Sequence, residues 1–229
     1  MKNKTVFVAC DTSNLVKVKK IIIHTKTKKL KIIPKFGLQF IYSKGGRKFL
    51  ENIKNDFWLD LKINDIPQTA LSAINSLKDL KKCKYITVHA NGGLKMLKAV
   101  KKKSKKYNKK LKVLGVTILT SFTNSSIKKV GHTKSVKDLV RKQTLLAKTA
   151  KLDGIVCSVH EIKTIKKISK RMEIITPGIR LEGDKLNDQK RVSSPKEAFS
   201  NGATSIVIGR SITKNNIRKN IKRLIKELK

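Results

Sequence analysis

Short runs of β-branched and other apolar residues recur along the chain at intervals of about 25 to 30 residues. Most of these runs are nearly continuous in apolar residues, which is typical of parallel strands that are buried on both faces. They predict eight strands, which are Thr5–Asp11, Lys31–Phe36, Phe57–Lys62, Tyr85–Ala90, Lys112–Thr120, Gly154–Ser158, Glu173–Ile179 and Ser205–Ser211.

Between most of these strands, apolar residues recur with the 3.6-residue period of a helix. The pattern predicts helices around Leu71–Leu77, Val136–Ala150, Ile162–Ile168 and Ile217–Leu228. Alternating strands and helices indicate a parallel α/β fold, and eight strands in 229 residues predict one (β/α)8 barrel domain over residues 1–229. A doubly wound open sheet is the alternative, but no G-x-G-x-x-G motif follows the first strand.

The charge of the chain is extreme, with 55 Lys and Arg against 15 Asp and Glu and a formal net charge of +40. Only eight of the basic residues are Arg, and aromatic residues make up 5% of the chain. Proteins that read nucleic acids usually carry Arg forks and clustered aromatic side chains. We therefore interpret the lysines as a solvated surface of the kind that an A/T-rich genome produces, with non-specific attraction to polyanions as the alternative.

Several classes of protein are excluded by composition. No run of about 18 apolar residues is present, so we expect no membrane span, and the N-terminus does not resemble a signal peptide. The odd number of cysteines, Cys10, Cys83 and Cys157, shows no CxxC spacing, which favours a reducing cytoplasm and, for Cys10 and Cys157, a role in core packing. The four histidines are scattered and predict no metal site.

Polar residues and glycines cluster where the strands are predicted to end, which is where (β/α)8 barrels build their active sites. Three of only 15 acidic residues lie at two of these ends, more than composition alone would place there. We expect His89 to be a hydrogen-bonded strand-end residue rather than a base. The candidate positions are Asp11, Lys35, Gly37, Asp60, Lys62, Asp65, His89–Gly93, Thr120, Ser121, Cys157, Ser158, Pro177–Arg180 and Gly209–Ser211.

The third strand carries the most informative set. Trp58, Asp60 and Lys62 share one face, because side chains two residues apart on a strand point the same way. A Lys beside the carboxylates of Asp60 and Asp65 stays protonated, and a fixed ammonium can donate a proton and stabilise developing negative charge. A structural ion pair is the alternative, although charges in a barrel mouth are costly unless they are used.

The last two strands predict a phosphate site and a lid. Barrels often bind phosphate with backbone N–H groups after strands 7 and 8. Gly209 permits close approach of the backbone, and Arg210 supplies a bidentate fork, whereas a turn glycine and a surface Arg are the alternative. The long polar segment Arg180–Ser194 has the composition of a closing lid, or of a plain loop.

Together these motifs resemble one family. Asp60-Leu-Lys62-Ile-Asn-Asp65-Ile-Pro67-Gln-Thr69 is similar to the D-x-K-x-x-D-I-P-x-T signature of the orotidine 5′-phosphate decarboxylases. Lys35-Phe-Gly37, Thr176-Pro-Gly-Ile-Arg180 and Val207-Ile-Gly-Arg210 agree with the same family in the same order. The resemblance covers nearly the whole chain and is to the bacterial branch.

The resemblance implies a (β/α)8 homodimer that forms uridine 5′-phosphate and carbon dioxide during pyrimidine synthesis, without a metal or organic cofactor. It implies that Lys62 protonates C6 of the substrate within a Lys-Asp-Lys-Asp array formed with Lys35, Asp60 and Asp65. Asp65 would come from the partner subunit.

The resemblance also implies the substrate contacts, to the ribose hydroxyls, the pyrimidine and the phosphate. Asp11 and Lys35 would hold the ribose, and Thr120 and Ser121 would lie beside the pyrimidine. The complete set of implied substrate-binding residues is Asp11, Lys35, Asp60, Thr69, Thr120, Ser121, Arg180, Gln189, Gly209 and Arg210.

Departures from the family pattern touch no catalytic role. Asn64 stands where some relatives have His, Asn91 where Ser is common, and Lys190 where Arg is usual. Two other functions stay open at this point. One is a sugar-phosphate decarboxylase or aldolase-like synthase of the same superfamily, which shares D-x-K-x-x-D but usually needs magnesium. The other is a basic nucleic-acid-binding barrel without catalysis, against which the intact Lys62 and both aspartates argue.

Overall fold

Eight parallel strands close into a barrel in chain order in the computed structural model, which describes residues 4–184 and 192–229. This confirms the (β/α)8 architecture and rules out the open sheet. The strands are β1 (Thr5–Ala9), β2 (Lys31–Phe36), β3 (Phe57–Ile63), β4 (Cys83–His89), β5 (Lys112–Val116), β6 (Gly154–Val156), β7 (Glu173–Thr176) and β8 (Ser205–Ile208).

Helices follow the strands and cover the outside of the barrel. The four helices predicted from the 3.6-residue period are all present, and the first of them ends two residues before Leu77. The helices are α1 (Leu15–His24), α2 (Leu38–Ile41), α3 (Gly46–Asn52), α4 (Pro67–Asn75), α5 (Gly93–Tyr107), α6 (Asn124–Lys129), α7 (Val136–Thr149), α8 (Ile162–Ile168), α9 (Pro195–Asn201), α10 (Arg210–Thr213) and α11 (Ile217–Glu227).

Six strands end earlier than the sequence predicts. The hydrogen-bonded ladder of β1 stops at Ala9 rather than Asp11, and that of β5 stops at Val116 rather than Thr120. The predictions for β4, β6, β7 and β8 are also too long at their C-terminal ends. Apolar residues continue beyond the ladder into loops that line the barrel mouth, as the buried Ile118 illustrates. Hydrophobicity therefore marks burial at these ends and not strand pairing.

The core has two layers, because successive side chains of a strand point alternately into the barrel and out toward the helices. Inside the barrel, the ring of Phe7 packs edge-on against Trp58 and Tyr85, with ring centroids 4.7 and 5.0 Å apart. All three side chains are buried. This aromatic cluster lies beneath Asp60, the next inward-facing residue of β3.

The three cysteines are free and buried, which confirms the packing role expected for Cys10 and Cys157. Burial raises the pKa of the Cys10 thiol to about 12, with the charge of Asp11 adding to the effect. Burial likewise raises the pKa of Cys83 to about 12. Both groups are therefore protonated at neutral pH. Across residues 4–184 and 192–229, no helix has the length and apolar character needed to cross a membrane.

Candidate active site

A cavity of about 690 Å³ opens at the C-terminal end of the barrel. Side chains from the ends of β1, β2 and β3 meet there with the loop after β5 and the segments after β7 and β8. The candidate positions predicted from the sequence that line this cavity are Asp11, Lys35, Asp60, Lys62, Thr120, Ser121, Cys157, Pro177, Gly178, Arg180, Gly209 and Arg210.

Four charged side chains alternate in sign along one part of the cavity. Lys35 Nζ lies 3.6 Å from Asp11 Oδ1 and donates a hydrogen bond to Asp60 Oδ2 at 3.0 Å. Lys62 Nζ donates to the same Asp60 oxygen at 3.0 Å. We call these four residues the charged array. Its two ammonium groups balance its two carboxylates, so the array carries no net charge.

Strand pairing brings the members of the array together. Ala9 pairs with Lys35 across β1 and β2, and Lys35 pairs with Trp58 across β2 and β3. Asp60 follows Trp58 on the same face of β3, and its side chain reaches the ammonium of Lys35. The prediction that Asp60 and Lys62 share a face is confirmed by their ion pair.

The protonation states of the buried members follow from this arrangement. Burial alone would raise the pKa of Asp60, but the charges of Lys35 and Lys62 outweigh it and lower the pKa to about 2. Burial alone would lower the pKa of Lys35, but the carboxylates of Asp60 and Asp11 outweigh it and raise the pKa. Asp60 is therefore ionised and Lys35 protonated at neutral pH.

The backbone of Lys62 departs from the regular strand. Its φ is +51°, in the left-handed region, and the β3–β4 ladder is irregular between Leu59 and Ile63. The Lys62 N–H donates to Thr87 Oγ1 at 2.9 Å, and the Thr87 hydroxyl donates to Asp60 Oδ1 at 2.8 Å. Sequence reasoning missed Thr87, because a β-branched residue in an apolar strand is ordinary and carries no signal of its hydrogen bonds.

Two guanidinium groups lie close together at the ends of β7 and β8. Burial lowers the pKa of Arg180, and the neighbouring charge of Arg210 lowers it further. Both side chains line the cavity, beside Gly209. Paired cations next to a backbone turn are a favourable site for a dianion such as phosphate.

The segment predicted as a lid is only partly described. Its two ends are joined, since Ile179 bridges to Ser193 and the Arg180 N–H donates to the Ser193 carbonyl at 3.0 Å. Asp184 pairs with Arg223 of α11 at 3.0 Å. Gln189 and Lys190 lie outside the described residues, so the contact predicted for Gln189 stays a prediction.

Two predicted residues, Asp65 and Thr69, are exposed and do not line the cavity of their own chain. Asp65 Oδ1 accepts a hydrogen bond from the Ile66 N–H at 2.7 Å. Within the described parts of the chain, Asp65 forms no ion pair. Ile66, in the same loop, is 67% exposed.

His89 is the last residue of β4 and is hydrogen-bonded there, as expected. His89 Nδ1 accepts a hydrogen bond from the Asn91 N–H at 3.5 Å, and burial together with the charge of Lys62 lowers its pKa. Asn91 Oδ1 accepts from Gln143 Nε2 of α7 at 2.5 Å. Asn91, which stands where Ser is common in the family, therefore connects the end of β4 to the neighbouring helix α7.

Comparison with known proteins gives one consistent family. The profile of the orotidine 5′-phosphate decarboxylase / HUMPS family matches residues 4–223. An orotidine 5′-phosphate decarboxylase of Malacoplasma penetrans is 39% identical over 221 residues, which is 94% of each chain. That of Fusobacterium nucleatum is 37% identical over 230 residues, covering 98% of this chain and 95% of the relative. The crystal structure of the Lactobacillus acidophilus orotidine 5′-phosphate decarboxylase superposes with a TM-score of 0.83 at 27% identity, covering 98% of both chains.

Proposed function

The chain belongs to the orotidine 5′-phosphate decarboxylase / HUMPS family, and we propose that it decarboxylates orotidine 5′-phosphate to uridine 5′-phosphate with Lys62 as the proton donor. The observation that carries this proposal is the charged array, in which one carboxylate, Asp60, holds two ammonium groups at 3.0 Å inside the cavity. Such an array suits a reaction in which negative charge develops on carbon and must then be protonated.

The proposed reaction is loss of carbon dioxide from C6 followed by protonation of the same carbon. The bond between C6 and the carboxylate breaks, carbon dioxide leaves, and the electron pair remains on C6. The Lys62 ammonium stabilises this charge and transfers a proton to the carbon, after which solvent returns a proton to the amine. Asp60, which its surroundings keep ionised, would also repel the substrate carboxylate before the bond breaks.

Arg180 and Arg210 are proposed to bind the 5′-phosphate, with Gly209 and Gln189. Support comes from the proximity of the two guanidinium groups in the same cavity as Lys62. Asp11 and Lys35 would hold ribose hydroxyls, and Thr120 and Ser121 would lie beside the pyrimidine. Binding energy from the phosphate can then align C6 with the array.

A homodimer with shared sites is part of the proposal. Asp65 and Thr69 are exposed in the first turn of α4 and the loop before it, beside the exposed Ile66. A partner subunit that covered Ile66 would bury this apolar side chain and bring Asp65 and Thr69 toward the cavity of the other chain. Asp65 would then complete the Lys-Asp-Lys-Asp array, and Thr69 would contact the substrate.

The synthase alternative within the same superfamily is less well supported. The Ile66–Thr69 segment favours the decarboxylase, as do relatives of 37–40% identity that carry the decarboxylase name. We propose that no metal or organic cofactor is needed, because the Lys62 ammonium supplies both the proton and the charge stabilisation. The three free, buried cysteines support a cytoplasmic location.

An absorbance assay of orotidine 5′-phosphate turnover, with and without a chelator, tests the function. We expect turnover that the chelator does not change. Lys62→Ala should lower kcat by at least about a hundredfold while binding of uridine 5′-phosphate persists, and Lys98→Ala, an exposed lysine of α5, should match the wild type. Turnover that requires magnesium would favour the synthase chemistry, and near-normal turnover by Lys62→Ala would remove Lys62 as the donor.

A further inference from the structure

The hydroxyl of Thr87 closes a ring of hydrogen bonds around Lys62. The ring runs from the Lys62 N–H to Thr87 Oγ1 at 2.9 Å, and from the Thr87 hydroxyl to Asp60 Oδ1 at 2.8 Å. The other oxygen of the same carboxylate, Oδ2, accepts from Lys62 Nζ at 3.0 Å. Backbone and side chain of Lys62 are thus both tied to Asp60, one through Thr87 and one directly.

The directions of these bonds follow from chemistry. A backbone N–H can only donate, so the Thr87 oxygen must accept from Lys62. An ionised carboxylate can only accept, so the single hydroxyl proton of Thr87 must point to Asp60. Since Thr87 is completely buried, a valine in its place would leave the Lys62 N–H and one Asp60 oxygen each short of a partner.

The ring coincides with strain in the backbone. A left-handed φ is unfavourable for a residue with a Cβ, and it persists only where the surroundings enforce it. At Lys62 the irregular β3–β4 ladder takes the N–H out of the regular pairing, and Thr87 of β4 supplies the acceptor instead. Among the residues that the structure describes, Thr87 does not line the cavity. Any effect of Thr87 on the reaction must therefore pass through Lys62 and Asp60.

We infer that Thr87 is a positioning residue for decarboxylation, whose hydroxyl holds the left-handed backbone of Lys62 and the Asp60 carboxylate in the geometry that aims the ammonium into the cavity. This inference rests on the proposed function. It extends that function by identifying a side chain on β4 that contacts no substrate and yet sets the geometry of the proton donor.

Substitution of Thr87 separates positioning from binding. Thr87→Val keeps the shape but removes the hydroxyl, and we expect kcat to fall by about 10- to 100-fold, as for the loss of a hydrogen bond to a charged group. KM for orotidine 5′-phosphate should change by less than about threefold, because the phosphate contacts remain. Thr87→Ser keeps the hydroxyl and should recover most of the wild-type kcat.

Thr144→Val is the matched control. Thr144 is equally buried, and its hydroxyl donates to the Val140 carbonyl within α7, away from the cavity. This variant should keep the wild-type kcat. If Thr87→Val does not fold, Thr87→Ala removes the same hydroxyl without placing a methyl group beside the carboxylate, and the same loss of kcat is expected.

The outcomes are distinct. An active wild type with an equally active Thr87→Val overturns the positioning role alone. A Ser variant as slow as the Val variant, or a Val variant whose only defect is a raised KM, also overturns it. A wild-type protein without turnover of orotidine 5′-phosphate overturns the proposed function and this inference with it.

Discussion

Mixing two inactive variants is the most direct test of a site built from two chains. Lys62 lines the cavity of its own subunit, whereas the exposed Asp65 carboxylate is bound to the Ile66 N–H and points to no cation among the residues described. We expect Lys62→Ala and Asp65→Ala each to be nearly inactive, because each removes a charge from every site of its dimer.

The size of the recovery follows from two-fold symmetry. If the two variants exchange subunits freely in equal amounts, about half of the dimers are mixed. Each mixed dimer carries one site with both substitutions and one site with neither. About one quarter of all sites are then wild type, so turnover should rise from near zero to about 25% of the wild-type value per site.

The assay follows loss of orotidine 5′-phosphate after subunit exchange, and native mass spectrometry verifies the mixed dimers. Mixing two differently tagged samples of Lys62→Ala is the control and should recover nothing. If mixed dimers form and turnover stays at the level of the parents, Asp65 acts within its own subunit and the shared-site proposal is refuted.

Two further predictions concern the phosphate and the effect of pH. Arg210→Ala should weaken uridine 5′-phosphate binding by about 10- to 150-fold, because it removes one charge-assisted hydrogen bond. Binding of uridine should change little, and Arg218→Ala, which alters an exposed arginine, should bind uridine 5′-phosphate as the wild type does. Calorimetry measures these affinities, and equal losses for nucleotide and nucleoside would locate the phosphate elsewhere. Folding lowers the pKa of Asp60 from 3.8 to about 2. The ionised carboxylate therefore stabilises the fold by about 2 kcal/mol above about pH 4, and this contribution is lost as the pH falls toward 2. In urea unfolding, the wild type should therefore lose about 1 kcal/mol more than Asp60→Asn between about pH 5.5 and pH 3; parallel losses in the two proteins would contradict the lowered pKa of Asp60.

The barrel could be predicted from the sequence because its signal is repeated eight times. Each buried strand is a run of apolar residues, and an error at one end of a run changes no other strand. The C-terminal ends of most strands could not be predicted. Ile118 and Leu119 continue the apolar run of β5, but they line the cavity, and hydrophobicity does not distinguish a residue that lines a cavity from one in the ladder.

The charged array could be predicted only in part. The spacing of Asp60 and Lys62 predicts that their side chains lie together, and their ion pair confirms this although the backbone of Lys62 leaves the regular strand conformation. Contacts between strands need the register of the barrel, which no local pattern contains, so the bond from Thr87 to Asp60 could not be found. The left-handed backbone at Lys62 could not be predicted either, because a lysine, unlike a glycine, does not indicate a positive φ.

The pairing of opposite charges within the charged array has a consequence for how the sequence of this protein can change during evolution. Each carboxylate in it is compensated by an ammonium within 4 Å, whereas exposed charges more than about 8 Å away are largely screened at physiological ionic strength. Surface positions can therefore gain lysines one after another without shifting the protonation of Asp60 or Lys35. The ionisation of the charged array is therefore largely independent of distant surface charge, and a drift in base composition can take the net charge to +40 while the ion pairs inside the barrel stay the same.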